Sequence, residues 1–164
     1  MKSWSQFNES KNYGNLYHAL MRHAPSESVD TCINILKQGL RFNRNTQAEM
    51  GKKRGNFKFL DGDFYISVTR TKSFKNYVTF ILDGESISNK YKIEPFNMRA
   101  WNRDYEFYSL GRNNNKYMTE EKIVSKTQGY LDPKYIKEIV IRELSDDQIN
   151  TIKENAGNIK VTVL

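Results

Sequence analysis

The fold class follows from the stretch DGDFYISVTR at residues 61–70. Asp61-Gly62-Asp63 favours a turn, and the residues from Phe64 to Thr69 alternate large and small polar side chains as a half-buried strand does. Working outward, similar short patterns predict strands at 15–20, 77–82, 91–93, 122–124, 135–141 and 159–163. The chain is therefore expected to build a sheet from many short strands.

Two helices interrupt this series of strands. Apolar side chains at helical spacing predict a helix over residues 29–38, with Ser28 as N-cap and Gly39 as a left-handed C-cap. Residues 145–148, Ser-Asp-Asp-Gln, have the pattern of a capping box and predict a second helix that ends near Gly157. One strand, a helix, several strands and a late helix are typical of an α+β fold with a largely antiparallel sheet.

Length and composition limit the class of protein. The 164 residues suit a single domain over 1–164, and 13% aromatic residues exclude a disordered polyelectrolyte. The lone Cys32, in an apolar helical stripe, is predicted to be a core residue and cannot form an internal disulfide or a cysteine-based zinc site. No metal site and no membrane span or signal segment is predicted, which favours the cytoplasm, or the host cytoplasm if a phage encodes the chain.

The net charge of +7 is concentrated in one part of the sequence. Residues 37–75 hold ten basic and three acidic side chains, whereas the segments before and after are each neutral. Residues 42–62 within this region have little periodicity and predict a long loop. The excess favours a polyanionic partner, although a solvated surface loop gives the same pattern. The predicted nucleic-acid-binding residues are Arg44, Lys52, Lys53, Arg54 and Lys58.

Common catalytic motifs are absent. The chain has neither the dinucleotide-binding glycine fingerprint nor the phosphate-binding loop of nucleotide hydrolases, and it has no nucleophile elbow. Taken alone, His18 fits a packed structural histidine, and Glu120-Glu121 fits a solvated turn.

Taken in order across residues 15–142, however, five motifs resemble those of the ADP-ribosyltransferase family, in the branch of diphtheria-toxin-like and poly-ADP-ribose-polymerase-like proteins. Leu16-Tyr17-His18-Ala19 resembles the Tyr/Phe-His-Gly-Thr/Ser motif, with Ala19 in place of glycine. The other four motifs are the helix end at 33–40, the Ser-x-Thr strand at 65–70, the catalytic-glutamate strand at 120–124 and the following connection at 131–136. The resemblance implies an α+β fold with a split, mostly antiparallel sheet, one N-terminal helix and a late C-terminal helix.

The resemblance also implies a reaction, in which NAD serves as co-substrate and no metal is needed. Glu121 would be catalytic, His18 would hold ribose hydroxyls, and Ser67 and Thr69 would orient Glu121 or the carboxamide. The other residues expected to bind NAD are Tyr17, Ala19, Arg70 and Tyr77, with Phe74 as the alternative to Tyr77 for stacking on the nicotinamide ring.

The acceptor of ADP-ribose is left open by these patterns. The basic segment slightly favours DNA or RNA, and a host protein is the other acceptor. A non-enzymatic nucleic-acid-binding protein and an inhibitor that has lost activity, as Ala19 would permit, are the alternatives to an enzyme. A composition rich in Lys, Asn and Ile suggests an AT-rich genome, so the resemblance fits a toxin-like effector of a bacterium or phage.

Overall fold

An eight-stranded sheet runs through the part of the chain that the computed structural model describes, which comprises residues 14–21, 24–44, 64–95 and 120–164. The strands in chain order are β1 (Asn15–Ala19), β2 (Leu40–Arg41), β3 (Asn43–Arg44), β4 (Phe64–Thr69), β5 (Val78–Asp83), β6 (Lys92–Pro95), β7 (Glu120–Ser125), β8 (Tyr130–Leu131), β9 (Ile136–Ile141) and β10 (Lys160–Val163). The order across the sheet is β10-β9-β5-β1-β4-β7-β6, with β3 paired to β4, while β2 and β8 form a separate two-stranded sheet. All these pairs are antiparallel except β9 with β10. The predicted α+β class with a largely antiparallel sheet is confirmed.

Three α-helices and one short 3₁₀-helix (Pro133–Tyr135) accompany the strands in the described ranges; the α-helices are α1 (Pro25–Gln38), α2 (Gly84–Ser88) and α3 (Asp146–Ala156). The capping box that opens α3 is confirmed, since the Ser145 side chain accepts from the Gln148 amide and the Gln148 side chain accepts from the Ser145 amide. The predicted start of α1 is wrong by one turn. Ser28 is buried inside the helix, and the helix begins at Pro25, whose fixed φ and missing N–H suit a first helical position.

The main core lies between one face of the sheet and the helices. Leu16, Ile66 and Phe80 from the strands pack with Val29 and Cys32 from α1, and α3 contributes Ile152. Cys32 is fully buried, as predicted, and burial raises the pKa of its thiol to about 12. The thiol therefore stays protonated near neutral pH, which makes it a poor nucleophile.

Gly39 ends α1, as predicted, but not in the left-handed helical conformation. Its φ of 97° comes with an extended ψ of 177°, and its amide donates to the Ile35 carbonyl at 2.7 Å. This conformation turns the chain directly into β2, whose Leu40 pairs with Leu131 of β8. The backbone of Leu131 lies so close that only a residue without a Cβ fits.

The predicted loop at 42–62 is shorter than expected at its start. Residues 43 and 44 form β3, which pairs with Tyr65 and Phe64 of β4. The Asp83-Gly84 pair does not simply turn the chain, because the Asp83 side chain accepts from the Ser86 amide and caps α2. The remainder of the predicted loop, and a polar segment at 97–118, lie outside the described residues.

Candidate functional site

His18 and Glu121 lie in one transverse row across the sheet. Tyr17 pairs with Thr69, which places His18 opposite Val68, and Val68 in turn pairs with Glu121. Residues opposite each other in an antiparallel sheet share a face, and neighbouring strands are about 4.8 Å apart. The backbones of His18 and Glu121 are therefore about 10 Å apart, and both residues are on the face that carries the main core.

The hydrogen bond of His18 determines which of its ring nitrogens can meet a ligand. Nδ1 lies 2.8 Å from the Ser67 carbonyl oxygen, which can only accept, so Nδ1 carries the proton. Burial lowers the pKa of His18, and the bond to the Ser67 carbonyl offsets this only in part. The imidazole is therefore neutral near pH 7, and its Nε2 is a hydrogen-bond acceptor.

This lowered pKa predicts a pH-dependent stability. Between the pKa of His18 in the fold and its unfolded value of about 6.5, the unfolded chain binds more protons, so the free energy of unfolding falls as the pH drops below about 6.5. His18→Asn keeps an N–H that can reach the Ser67 carbonyl but cannot titrate. Its free energy of unfolding in urea should therefore fall less than that of the wild type between about pH 7.5 and about pH 5.

The control for this measurement is His23→Asn, which reports what the other histidine of the chain contributes. An equal fall in His18→Asn and in the wild type would contradict the assignment of the effect to His18.

Glu121 is held by an arginine inside the fold. Its side chain is 2% exposed, and its Oε1 accepts a hydrogen bond from Arg70 Nε at 2.8 Å. The Arg70 side chain is 32% exposed and lies one residue beyond the end of β4. A charge-assisted bond of this length fixes the carboxylate, and Arg70 Nη2 is buried although about a third of the side chain as a whole reaches solvent.

Ser67 and Thr69 do not occupy the positions that the sequence interpretation gave them beside Glu121. Because Val68 pairs with Glu121, alternation along β4 places its two neighbours on the opposite face. The Ser67 hydroxyl accepts from Lys122 Nζ at 3.0 Å, and Thr69 Oγ1 accepts from the Thr71 amide at 3.1 Å. The register is therefore against orientation of Glu121 by these two residues, and Arg70 contacts Glu121 instead; their alternative role, orienting the carboxamide, stays a prediction.

Lys122 is a buried charged residue that the sequence interpretation missed. It is 4% exposed, and its ammonium lies 4.3 Å from the centroid of the Tyr65 ring as well as near Ser67. A cation over an aromatic face is favourable, most of all away from water. The sequence does hold a signal for this burial, because Lys122 directly follows Glu121 in a predicted strand. Successive side chains of a strand point to opposite faces, so these two charged residues must lie on different faces of the sheet.

Of the two aromatic candidates for a nicotinamide-stacking ring, Phe74 lies on the face of the sheet opposite the row. Phe74 contacts Tyr17 in an edge-to-face arrangement, with centroids 6.0 Å apart, and both pack with Ile81 and Val140 on the opposite face. Tyr77 packs against the main core, and Ala19 is exposed at the end of β1. The structure thus brings His18, Glu121 and Arg70 together, and it does not bring Tyr17 or Phe74 to the face of His18 and Glu121.

The predicted nucleic-acid-binding residues are mostly beyond the described ranges. Arg44 lies in β3, whereas Lys52, Lys53, Arg54 and Lys58 are outside the described residues. Among the basic residues of 37–75 that are described, Lys72 and Lys75 are exposed between β4 and β5.

Two features are absent from the described residues. No group of three or more His, Cys, Asp or Glu side chains within them could hold a metal ion. Within the same ranges, no helix combines the length and apolarity needed to cross a membrane. In comparisons with known proteins, no family model and no curated protein matches the chain.

Proposed function

We propose that this protein is an NAD-dependent ADP-ribosyltransferase, built on an ADP-ribosyltransferase-like form of the α+β fold, with Glu121 as its catalytic residue. The observation that carries the proposal is the row formed by His18, Val68 and Glu121. It places the two residues on one face of the sheet although they are more than one hundred positions apart in sequence.

The chemistry of the two side chains suits a ribose. His18 offers a neutral Nε2 that accepts a hydrogen bond, and Glu121 offers a carboxylate that accepts as well. Sugar hydroxyls supply the matching donors. A ligand that presented acceptors at both ends of the row would be repelled, so the site favours a polyhydroxy compound such as a nucleoside.

Glu121 would act in the step that breaks the bond between the ribose C1′ and nicotinamide. Nicotinamide leaves with the bonding electron pair, positive charge develops at the sugar, and the acceptor forms a new bond at C1′ and gives up its proton. A carboxylate hydrogen-bonded to the 2′-hydroxyl stabilises that charge more in the transition state than in the ground state, which accelerates the reaction. His18 would fix the sugar through its hydroxyls, so that C1′ stays in place during the transfer.

The acceptor that we propose is a nucleic acid. In support, Arg70 contacts Glu121, and the exposed Lys72 and Lys75 follow it in the segment between β4 and β5. Phosphate groups are the partners that such charges bind most strongly, and their neutralisation carries most sequence-independent affinity for nucleic acids. The same charges support the second candidate, a nucleic-acid-binding protein without catalysis.

Incubation with radiolabelled NAD and a cell lysate tests the proposal. The expected result is release of free nicotinamide and transfer of label to a product that nuclease, and not protease, destroys. Label sensitive to protease would replace the nucleic acid by a protein acceptor. With no release of nicotinamide and no transfer of label, the enzymatic function would be abandoned; salt-sensitive nucleic-acid binding would then favour the second candidate.

A further inference from the structure

The segment that links β4 to β5 is strongly basic. Residues 70–77, Arg-Thr-Lys-Ser-Phe-Lys-Asn-Tyr, hold three basic side chains and no acidic one. This cationic segment is tied to the sheet, because Asn76 Nδ2 donates to the Leu20 carbonyl at 2.6 Å and Arg142 Nη1 donates to the Phe74 carbonyl at 3.2 Å. Because β4 and β5 both run antiparallel to β1 on either side of it, the segment crosses β1 from one end of the sheet to the other, with Phe74 packed on the face opposite the main core.

Arg70 joins the cationic segment to the buried Glu121. Its Nε contacts Glu121 Oε1 at 2.8 Å, and about one third of its side chain reaches solvent while Glu121 remains interior. An anion arriving from solvent would thus meet the exposed part of Arg70 before it meets Glu121, and it would have to draw the buried Nη2 outward to engage both ends of the guanidinium. Lys72, exposed two residues after Arg70, adds to the local attraction for that anion.

This contact conflicts with the role proposed for Glu121. A carboxylate that stabilises a sugar cation must turn its charge towards the sugar, yet one of its oxygens is bound to Arg70. A diphosphate is a better partner for a guanidinium, because it carries more charge and offers two oxygens to the planar fork. Binding of a diphosphate at Arg70 would release Glu121 at the moment when the sugar arrives.

We propose that Arg70 binds the diphosphate of a dinucleotide, and that Glu121 is its internal competitor in the resting protein. The inference rests on the proposed function for the identity of the dinucleotide as NAD. Competition for Arg70 makes a simple prediction: removal of the charge of Glu121 strengthens diphosphate binding, and removal of Arg70 weakens it.

Isothermal titration calorimetry with inorganic pyrophosphate tests this at fixed ionic strength. Glu121→Gln should bind pyrophosphate about fivefold to tenfold more tightly than the wild type, since the ion pair with Arg70 becomes a weaker hydrogen bond from the guanidinium to an amide oxygen. Arg70→Gln should bind it about tenfold more weakly. Glu120→Gln is the matched control for Glu121→Gln, and Lys72→Gln is the matched control for Arg70→Gln, because each pair makes the same change in net charge. Each control should alter the affinity for pyrophosphate less than the variant that it matches.

Equal strengthening by Glu120→Gln and Glu121→Gln would overturn the inference, because the effect would then be one of net charge. Unchanged binding in Arg70→Gln would overturn it as well. Since Arg70→Gln leaves Glu121 buried beside a neutral group, the double variant Arg70→Gln/Glu121→Gln provides a second test that avoids this burial cost, and it should bind as weakly as Arg70→Gln.

The same proteins separate this inference from the proposed function. If the variants show that pyrophosphate and Glu121 compete for Arg70, but no nicotinamide is released from NAD, the diphosphate site would be retained and the transferase function abandoned. If nicotinamide is released but the variants show no competition for Arg70, the transferase function would be retained and the proposed diphosphate binding by Arg70 abandoned.

Discussion

Glu121→Gln is expected to lower kcat for nicotinamide release by at least about a hundredfold, without raising KM for NAD. The amide keeps the volume of the carboxylate but loses the charge that stabilises the sugar cation, and one such group at a developing charge contributes roughly 3–4 kcal/mol. Since this interaction belongs to the transition state, ground-state affinity should not decrease. Steady-state kinetics with purified protein at saturating and subsaturating NAD would measure both constants.

The matched control for this prediction is Glu120→Gln, which changes the neighbouring carboxylate of the same strand. The register pairs Glu120 with Thr69 and Glu121 with Val68, so the two glutamates belong to opposite faces of the sheet. Glu120→Gln should keep kcat within a few fold of the wild type. A comparable loss in both variants, or a loss in Glu120→Gln alone, would contradict the assignment of catalysis to Glu121.

Gly39→Ala is expected to destabilise the fold by about 3–5 kcal/mol, a large fraction of the total stability of a typical domain. A Cβ at this position would lie 2.1 Å from the carbonyl oxygen of Leu131, and φ is 97°, where side chains other than hydrogen are strained. The obstruction is backbone of the paired strand β8, which cannot move without breaking the two-stranded sheet. Urea unfolding followed by circular dichroism would measure the change in the free energy of unfolding.

Two other glycines separate the contributions to this cost. Gly157 also has a positive φ, of 58°, but nothing lies within 4 Å of an added Cβ, so Gly157→Ala should cost only about 1–2 kcal/mol. Gly129 has neither feature, and Gly129→Ala should change stability by less than about 0.5 kcal/mol. If Gly39→Ala cost no more than Gly157→Ala, the close approach to Leu131 would not matter to stability.

Seven of the ten described strands and the late helix could be predicted from sequence because their signals are local, whereas the two-residue strands β2, β3 and β8 could not. The alternation at 64–69 and the capping box at Ser145 each lie within a few residues, and the structure confirms both. The start of α1 was misplaced since Ser28 and Pro25 are competing start signals one turn apart. Tertiary burial of Ser28 decided between them, and burial is not visible in a short window of sequence.

The candidate site was harder to predict because it depends on strand register. His18 and Glu121 could be named from motifs, but which residue of β4 lies between them could not. A shift of one residue would have put Ser67 or Thr69 beside Glu121 and Val68 on the other side. The pairing of Arg70 with Glu121 across 51 positions has no local signal either, because the side chain starts beyond the end of its strand.

The row across the sheet also bears on how the protein must be made. His18, Val68 and Glu121 come from three strands separated by about fifty residues each, and β1 sits between β5 and β4 in the middle of the sheet. During synthesis β1 emerges first and has no neighbouring strand until β4 and β5 have followed. Contacts of such long sequence separation form slowly. A nascent or truncated chain that lacks β7 therefore carries His18 without Glu121, so the candidate site arises only in the folded whole.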